Sequence, residues 1–323
     1  MNFSARTRCP VCEAETFSTA FEADYNHPKI VGFLKTHYHH QGAIDFTRFS
    51  GAHYTVAHCD GCDLLFQVNV PTGDLLDYIY NHMIDPTVLH DVERERITLD
   101  SVDKIIGEMT TLFRMAGKAP ADITMLDYGM GYGRYARIAR GMGATVYATE
   151  IGEEKRQIAL SLGVKTIDDT AIDTMQFDIV HTEQVLEHLI QPGRDFARLA
   201  RASRILFKAA VPARGAAREM LTKSGLPAIS PYYRAIQGDK PEPTDDAVVS
   251  VQPLEHLNAY SSATMEWLAS RNGLELISRV RMGTVGVDVS SPKRFARSAA
   301  KTAKMLAKSI IRPDKGYYLF RKR

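Results

Sequence analysis

Three groups of residues in this chain have the types and the spacing to do chemistry. Its only cysteines fall in two Cys-x-x-Cys pairs, Cys9/Cys12 and Cys59/Cys62. Pairs at this spacing form knuckles that offer four thiolates to a tetrahedral zinc ion, and Pro10 and Gly61 supply a turn-forming residue between the ligands. The second group is Asp127 with three alternating glycines, Gly129, Gly131 and Gly133, and then Glu150 at the end of the next apolar run. Glycines let a backbone approach a ligand where a Cβ would collide, and a carboxylate at that strand tip can accept both hydroxyls of a ribose. The third is Glu255 beside His256. Histidine titrates near neutrality and serves as a general base, and a neighbouring carboxylate is expected to raise its basicity.

The elements that must hold these groups follow from hydrophobic periodicity. Residues 123–128 read as a buried strand running into the glycines, 134–141 as a helix, and 145–149 as a second strand ending on Glu150. Strand, glycine turn, helix, strand, acid is the front half of a nucleoside-binding α/β sheet. A helix at 153–162 and a short strand at 164–167 lead to Asp168-Asp169. A fourth strand starts at Phe177-Asp178-Ile179-Val180, followed by a helix at 192–202 and a fifth strand at 204–211. Strands at 274–282 and 316–321 close the pattern. Residues 85–118 carry an approximate 3.6-residue repeat (Val92, Ile97, Leu99, Val102, Ile105, Ile106, Met109) and read as one or two helices. The proline-rich stretch 212–258 is long enough to be a lid or a disordered excursion.

Two ligand classes fit the glycine turn. A dinucleotide register, Gly131-x-Gly133-x-x-Ala136, leaves Asp127 and Gly129 without a role. The pattern Asp127-x-Gly129-x-Gly131-x-Gly133 uses all four residues and resembles the first motif of class I S-adenosylmethionine-dependent methyltransferases. Phe177-Asp178-Ile179-Val180 and Leu186-Glu187-His188-Leu189 resemble that superfamily's fourth strand and the turn after it. The resemblance implies an α/β fold: a Rossmann-like seven-stranded sheet over 85–323 behind a small zinc-binding domain at 1–80. It implies S-adenosyl-L-methionine as cofactor, with Asp127 near its amino-acid end, Glu150 on the ribose and Asp168 on the adenine amino group. Ile151 and Glu183 complete the cofactor-binding set. The layout Cys59-Asp-Gly-Cys62-Asp-Leu-Leu-Phe66 resembles zinc-containing methyltransferases of sugar and natural-product pathways, including C-methyltransferases of nucleotide-linked deoxysugars. Pro253-Leu254-Glu255-His256-Leu257 resembles a signature that lies beside the acceptor there, which implies His256 as base with Glu255 assisting; His188 is the competitor.

For the cysteines, disulfides and a thioredoxin-like redox pair are the alternatives; a reducing compartment argues against the first, and two matched pairs against the second. Zn2+ is expected to be structural, since binding worth about 10–16 kcal/mol can fold a small module. The intervening His27, His37, His39, His40, His53 and His58 read as surface or substrate-facing.

The chain has 323 residues, 45% of them apolar, enough for a large core and a small appendage, and a net charge of +2 that exerts no general pull on nucleic acid. No run approaches the ~18 apolar residues of a membrane span, and the N-terminus lacks a signal peptide's apolar core. A cytoplasmic enzyme is expected. Between the last two strands, 289–313 holds seven basic residues and no acid. As an amphipathic helix, 293–312 fits an anionic surface or phosphorylated acceptor, or simply a solvated helix. The reaction expected is methyl transfer to a small-molecule or glycan acceptor, a sugar or secondary-metabolite intermediate. The alternatives are an NAD(P)-dependent oxidoreductase, a non-catalytic cofactor-binding module docking on a partner, and an RNA-modifying enzyme.

Overall fold

The computed structural model describes residues 2–323 apart from 40–42, 85–89, 92, 96, 243, 280, 282–289 and 312–314, and leaves out the side chains of 301–302, 304–306 and 308–311. His40, Val92, Met282 and the ends of the basic segment therefore lie outside the described residues. So do the side chains of Lys301, Lys304 and Lys308.

In chain order come β1 (Phe3–Ala5), β2 (Ser18–Asp24), α1 (Pro28–His37), β3 (His53–His58), β4 (Leu65–Gln67), β5 (Asn69–Pro71) and α2 (Gly73–Tyr78). Next are α3 (Leu99–Ala116), β6 (Thr124–Tyr128), α4 (Arg134–Gly141), β7 (Thr145–Thr149), α5 (Glu153–Ser161), β8 (Lys165–Thr166), β9 (Phe177–Glu183), α6 (Pro192–Ala202) and β10 (Ser203–Ala210). The last are α7 (Ala217–Ser224), α8 (Pro231–Ile236), α9 (Asp245–Ser250), β11 (Asn258–Ala259), α10 (Ser262–Arg271), β12 (Leu274–Ser278), α11 (Pro292–Ile311) and β13 (Tyr317–Lys322). The packing divides the chain into two compact units. One comprises Met1–Val92, Leu186–Asp195 and Val211–Trp267, and the other Glu93–Val185, Phe196–Ala210 and Leu268–Arg323.

In the second unit, seven strands form one sheet in the order β12-β13-β10-β9-β6-β7-β8. The five from β6 to β10 run parallel, while β13 pairs antiparallel with both β10 and β12. This is the Rossmann-like sheet expected from the sequence. The central strand β9 is buried along almost its whole length, as a strand covered on both faces must be. One face packs Ile105, Met109, Leu112 and Phe113 of α3 against Met125, Ile179 and Leu206. The other stacks Phe196, Phe207 and Phe320, with ring centroids 5.0–5.8 Å apart.

Helix α3 starts where Thr98 and Ser101 form a reciprocal capping box and stops at Gly117, whose φ of 69° ends it in the left-handed conformation. Its buried stripe begins later than the repeat suggested: Leu99 is 91% exposed and Ile106 is exposed as well.

In the first unit, β11-β4-β3-β2 form an antiparallel sheet and β1 pairs with β5. Its core joins Tyr25, Phe33, Tyr38, Phe49 and Tyr54 to Met220, Leu221, Val248 and Val251. The proline-rich stretch thus carries three short helices, of which α7 and α9 supply core residues. No helix among the described residues is long and apolar enough to cross a membrane.

Candidate functional site

The glycine turn lies at the end of β6, and each of its three glycines has positive φ, from 57° to 73°. At Gly129 a Cβ would come within 2.6 Å of Val185; at Gly131 a Cβ would meet nothing within 4 Å. The first glycine is required by packing, the second leaves open space at the strand tip.

The turn's amides are largely satisfied from within. Gly129 N–H donates to Thr149 Oγ1 (3.2 Å), Gly133 N–H to the Met130 carbonyl (3.0 Å) and Gly131 N–H to Glu150 Oε2 (2.9 Å). The other oxygen of Glu150 accepts from the amides of Ile151 (3.0 Å) and Gly152 (3.3 Å). Ile151 itself is 95% exposed. Asp168 is exposed and makes no capping bond, whereas its neighbour Asp169 is tied to Arg198 at 2.7 Å.

Asp127 is buried. Strand register sets it opposite His181, and His181 opposite Lys208, so three side chains form one row across β6, β9 and β10. His181 Nδ1 donates to Asp127 (2.7 Å), and Lys208 Nζ donates to His181 Nε2 (3.2 Å) and to Glu183. Glu108 of α3 adds an oxygen 3.6 Å from Lys208, and Arg281 reaches Glu183 (2.9 Å) and Glu108 (3.2 Å). Burial would raise the Glu183 carboxyl, but Lys208, Arg281 and His181 outweigh it and hold it at about 2. The sequence reading named Asp127 and Glu183 but missed His181, Lys208, Glu108 and Arg281. A lysine inside the apolar strand Ile205-Leu206-Phe207-Lys208-Ala209 was the available signal.

In the first unit the two knuckles repeat one geometry. Glu13 N–H donates to the Cys9 carbonyl and Asp63 N–H to the Cys59 carbonyl, and Glu13 and Asp63 share a φ near 60°. The second knuckle is the β3–β4 turn. Sγ atoms of Cys9 and Cys62 are 3.6 Å apart, those of Cys12 and Cys59 3.4 Å, and all four lie within 4.8 Å of one another. Four sulfurs at about 2.3 Å from a tetrahedral ion stand roughly 3.8 Å apart, so the donor set fits zinc. No pair is disulfide-bonded. Hydrogen bonding from Cys62 lowers the Cys9 thiol and burial raises that of Cys12, and a bound dication would ionise all four. His58 is not a fifth donor; its ring bridges Asp60 (2.9 Å) and Asp63 (2.8 Å).

Glu255 and His256 also belong to the first unit, and they point to different partners. Glu255 accepts from Tyr38 and lies 3.7 Å from His37 Nε2. Burial opposes ionisation, yet His37, His188 and Tyr38 keep its carboxyl at about 2. His256 directs Nδ1 at the Val249 carbonyl, and its ring meets that of His188 edge-on, with centroids 4.9 Å apart. Burial, then the charge of His188, depress His256 to about 3. The increase in basicity expected from Glu255 is thus outweighed by desolvation. Of the six intervening histidines, His37 joins this cluster, and no spacing links it to Glu255, 218 residues on. Leu254, at φ 73°, is the strained residue that turns the chain into the pair.

A parallel sheet with a glycine turn closed by the next strand's acid, and an antiparallel pair at its edge, defines a nucleoside-binding α/β enzyme of the Rossmann-like class. Residues 107–279, more than half of the chain, match the family described as "Methyltransferase domain", and the chain belongs to that family. No curated protein matches it in sequence.

Among solved structures it is similar to the plantazolicin methyltransferase BpumL with a pentazolic analogue and SAH (13% identity, TM-score 0.45, covering 77% of this chain and 95% of that one). It is also similar to the magnesium protoporphyrin IX methyltransferase of Synechocystis PCC 6803 with SAH (16%, 0.40, 76% and 97%). A third is an S-adenosylmethionine dependent methyltransferase from Mesorhizobium loti (14%, 0.40, 66% and 96%). At these identities the acceptors of those enzymes do not carry over.

Proposed function

We propose that the chain transfers a methyl group from S-adenosylmethionine to a small-molecule or glycan acceptor, a sugar or secondary-metabolite intermediate. The observation that carries the donor assignment is Glu150 accepting from Gly131 N–H. A pyrophosphate is bound by free amides at such a turn. Here one of those amides already serves a carboxylate, whose charge repels phosphate and suits ribose hydroxyls. S-adenosylmethionine has a ribose and no phosphate, and it supplies a sulfonium methyl that is electrophilic as bound.

In this reading Glu150 takes the ribose hydroxyls, and the bare side chain of Ile151 is covered by the adenine. Asp168 meets the adenine amino group. Gly129, Gly131 and Gly133 allow close approach, while Asp127 and Glu183 fix the floor through His181 and Lys208. On the acceptor side, the ionised Glu255 accepts a hydrogen bond from an acceptor hydroxyl, and His256 offers the lone pair of Nε2. The chemistry is an in-line displacement that depends mainly on alignment and water exclusion. Cys9, Cys12, Cys59 and Cys62 hold a structural Zn2+.

Calorimetric titration with S-adenosylmethionine and, separately, NADH tests the donor. Binding of the former, weakened about 10- to 100-fold in Glu150→Ala by loss of a charge-assisted hydrogen-bond pair, is expected. Binding of NADH alone would refute the reading.

A further inference from the structure

We propose that Glu187, His188 and His256 form a second metal site, for a divalent transition-metal cation with open positions for oxygen ligands. The site does not rest on the methyl-transfer reading. One carboxylate and two imidazole nitrogens lie within 4.8 Å of one another, with Glu187 fully buried, His256 buried and His188 partly so. Two histidines with one carboxylate are a recurrent donor set for zinc and for non-haem iron, and three protein ligands leave room for water or a substrate oxygen.

The donors are prepared for this. His256 commits Nδ1–H to the Val249 carbonyl, which fixes its tautomer and leaves the Nε2 lone pair as the donor. A neutral ring is the form that binds metal. Glu187 brings a fully buried carboxylate to the cluster. Glu187 Oε1 and His188 Nε2 are 4.0 Å apart. Ligands at about 2.1 Å in cis positions stand about 3 Å apart, so Glu187 and His188 need to approach by roughly one ångström to share an ion.

The scaffold under the site is stitched more heavily than two surface turns need. Asn258 Nδ2 donates to the carbonyls of Leu186 (3.4 Å), Glu187 (3.3 Å) and Leu189 (2.7 Å), and Tyr260 donates to Leu186 (2.8 Å). Gln67 Nε2 donates to the His256 carbonyl at 2.9 Å. The buried guanidinium of Arg6 ties Ile190 (2.7 Å) to Leu257 (3.2 Å). These bonds hold the turn of Glu187 and His188 against the loop of His256, as a preformed ligand site requires.

The test is cobalt titration of the full chain after its cysteine site has been loaded with zinc. One equivalent of Co2+ should bind with weak d–d bands and no thiolate charge-transfer band. Total metal should reach two ions per chain. His188→Asn and Glu187→Gln should weaken the second ion more than about 100-fold while the zinc remains, and His53→Asn, at an exposed position, should leave both ions in place. If either variant fails to fold, the wild-type spectrum alone decides. A single ion per chain with thiolate bands only, or a second ion that survives both variants, overturns the proposal.

Discussion

Replacing Lys208 by methionine would test the buried row beneath the glycine turn. The change keeps a long, flexible side chain between the rings of Tyr135 and Tyr317, whose centroids lie 4.9 and 5.5 Å from Nζ, and removes the charge with its hydrogen bonds to His181 and Glu183. Glu183 is held at about 2 against an ordinary 4.5, which corresponds to about 3 kcal/mol at neutral pH. Its folded pKa is depressed, so this stability is fully present above about pH 4.5 and is lost as the pH falls through 2. Breaking one side of a buried pair costs a similar 3–5 kcal/mol or so. Urea unfolding at pH 7 should therefore show Lys208→Met less stable by about 3 kcal/mol. At pH 3 the deficit should shrink to about half, because the wild type has by then lost part of the same contribution. Adding Glu183→Gln should recover more than about 1 kcal/mol, since the buried carboxylate left with Arg281 alone as its cation is gone. A cost below about 1 kcal/mol at pH 7, or one that does not change between pH 7 and pH 3, would refute the coupling.

Other consequences can be measured directly. Cys59→Ser should reduce zinc from one ion per chain at the cysteine cluster to none by elemental analysis, and a chelator should lower the melting temperature of the wild type but not of the variant. Gly129→Ala should destabilise by about 1–3 kcal/mol, combining positive φ with a Cβ 2.6 Å from Val185. Gly131→Ala, with nothing near its Cβ, should cost only the φ penalty of about 1 kcal/mol yet weaken S-adenosylmethionine binding more than Gly129→Ala does. Equal effects of the two alanines on binding would count against Gly131 facing the donor.

The sheet was legible because its elements carry their signals locally. Each parallel strand is an apolar run, and the glycine turn and Glu150 punctuate the first two. The antiparallel edge of β12 and β13 was legible for the same reason, although 38 residues, 279–316, separate the two strands. What did not show was the pairing of distant acids and bases. Asp127 meets His181, and His181 meets Lys208, only through strand register, and register is not written in any single strand. Glu108 was hidden differently: it sits on the apolar stripe of α3 between Ile105 and Met109, where an acid is affordable only opposite a buried cation. Residues 212–258 misled by composition. Prolines break long helices but start short ones, and Pro231 does so at the first turn of α8.

Adjacency in sequence was the weakest guide at Glu255 and His256. Consecutive side chains in an extended segment point to opposite sides of the chain, and in a turn their directions follow the local φ, so a carboxylate next to an imidazole in the sequence need not be its partner in space. Leu254 enforces the split, sending Glu255 to Tyr38 and His37 while His256 turns to Val249 and His188. The result is two clusters of opposite electrostatic character rather than one dyad. One is an anion stabilised by donors, the other a neutral ring with a free lone pair beside a second imidazole and a buried carboxylate. A metal ligand needs a neutral ring held by a backbone acceptor, and His256 has that. The buried position and the backbone hydrogen bond that fixes its tautomer suit His256 to coordination.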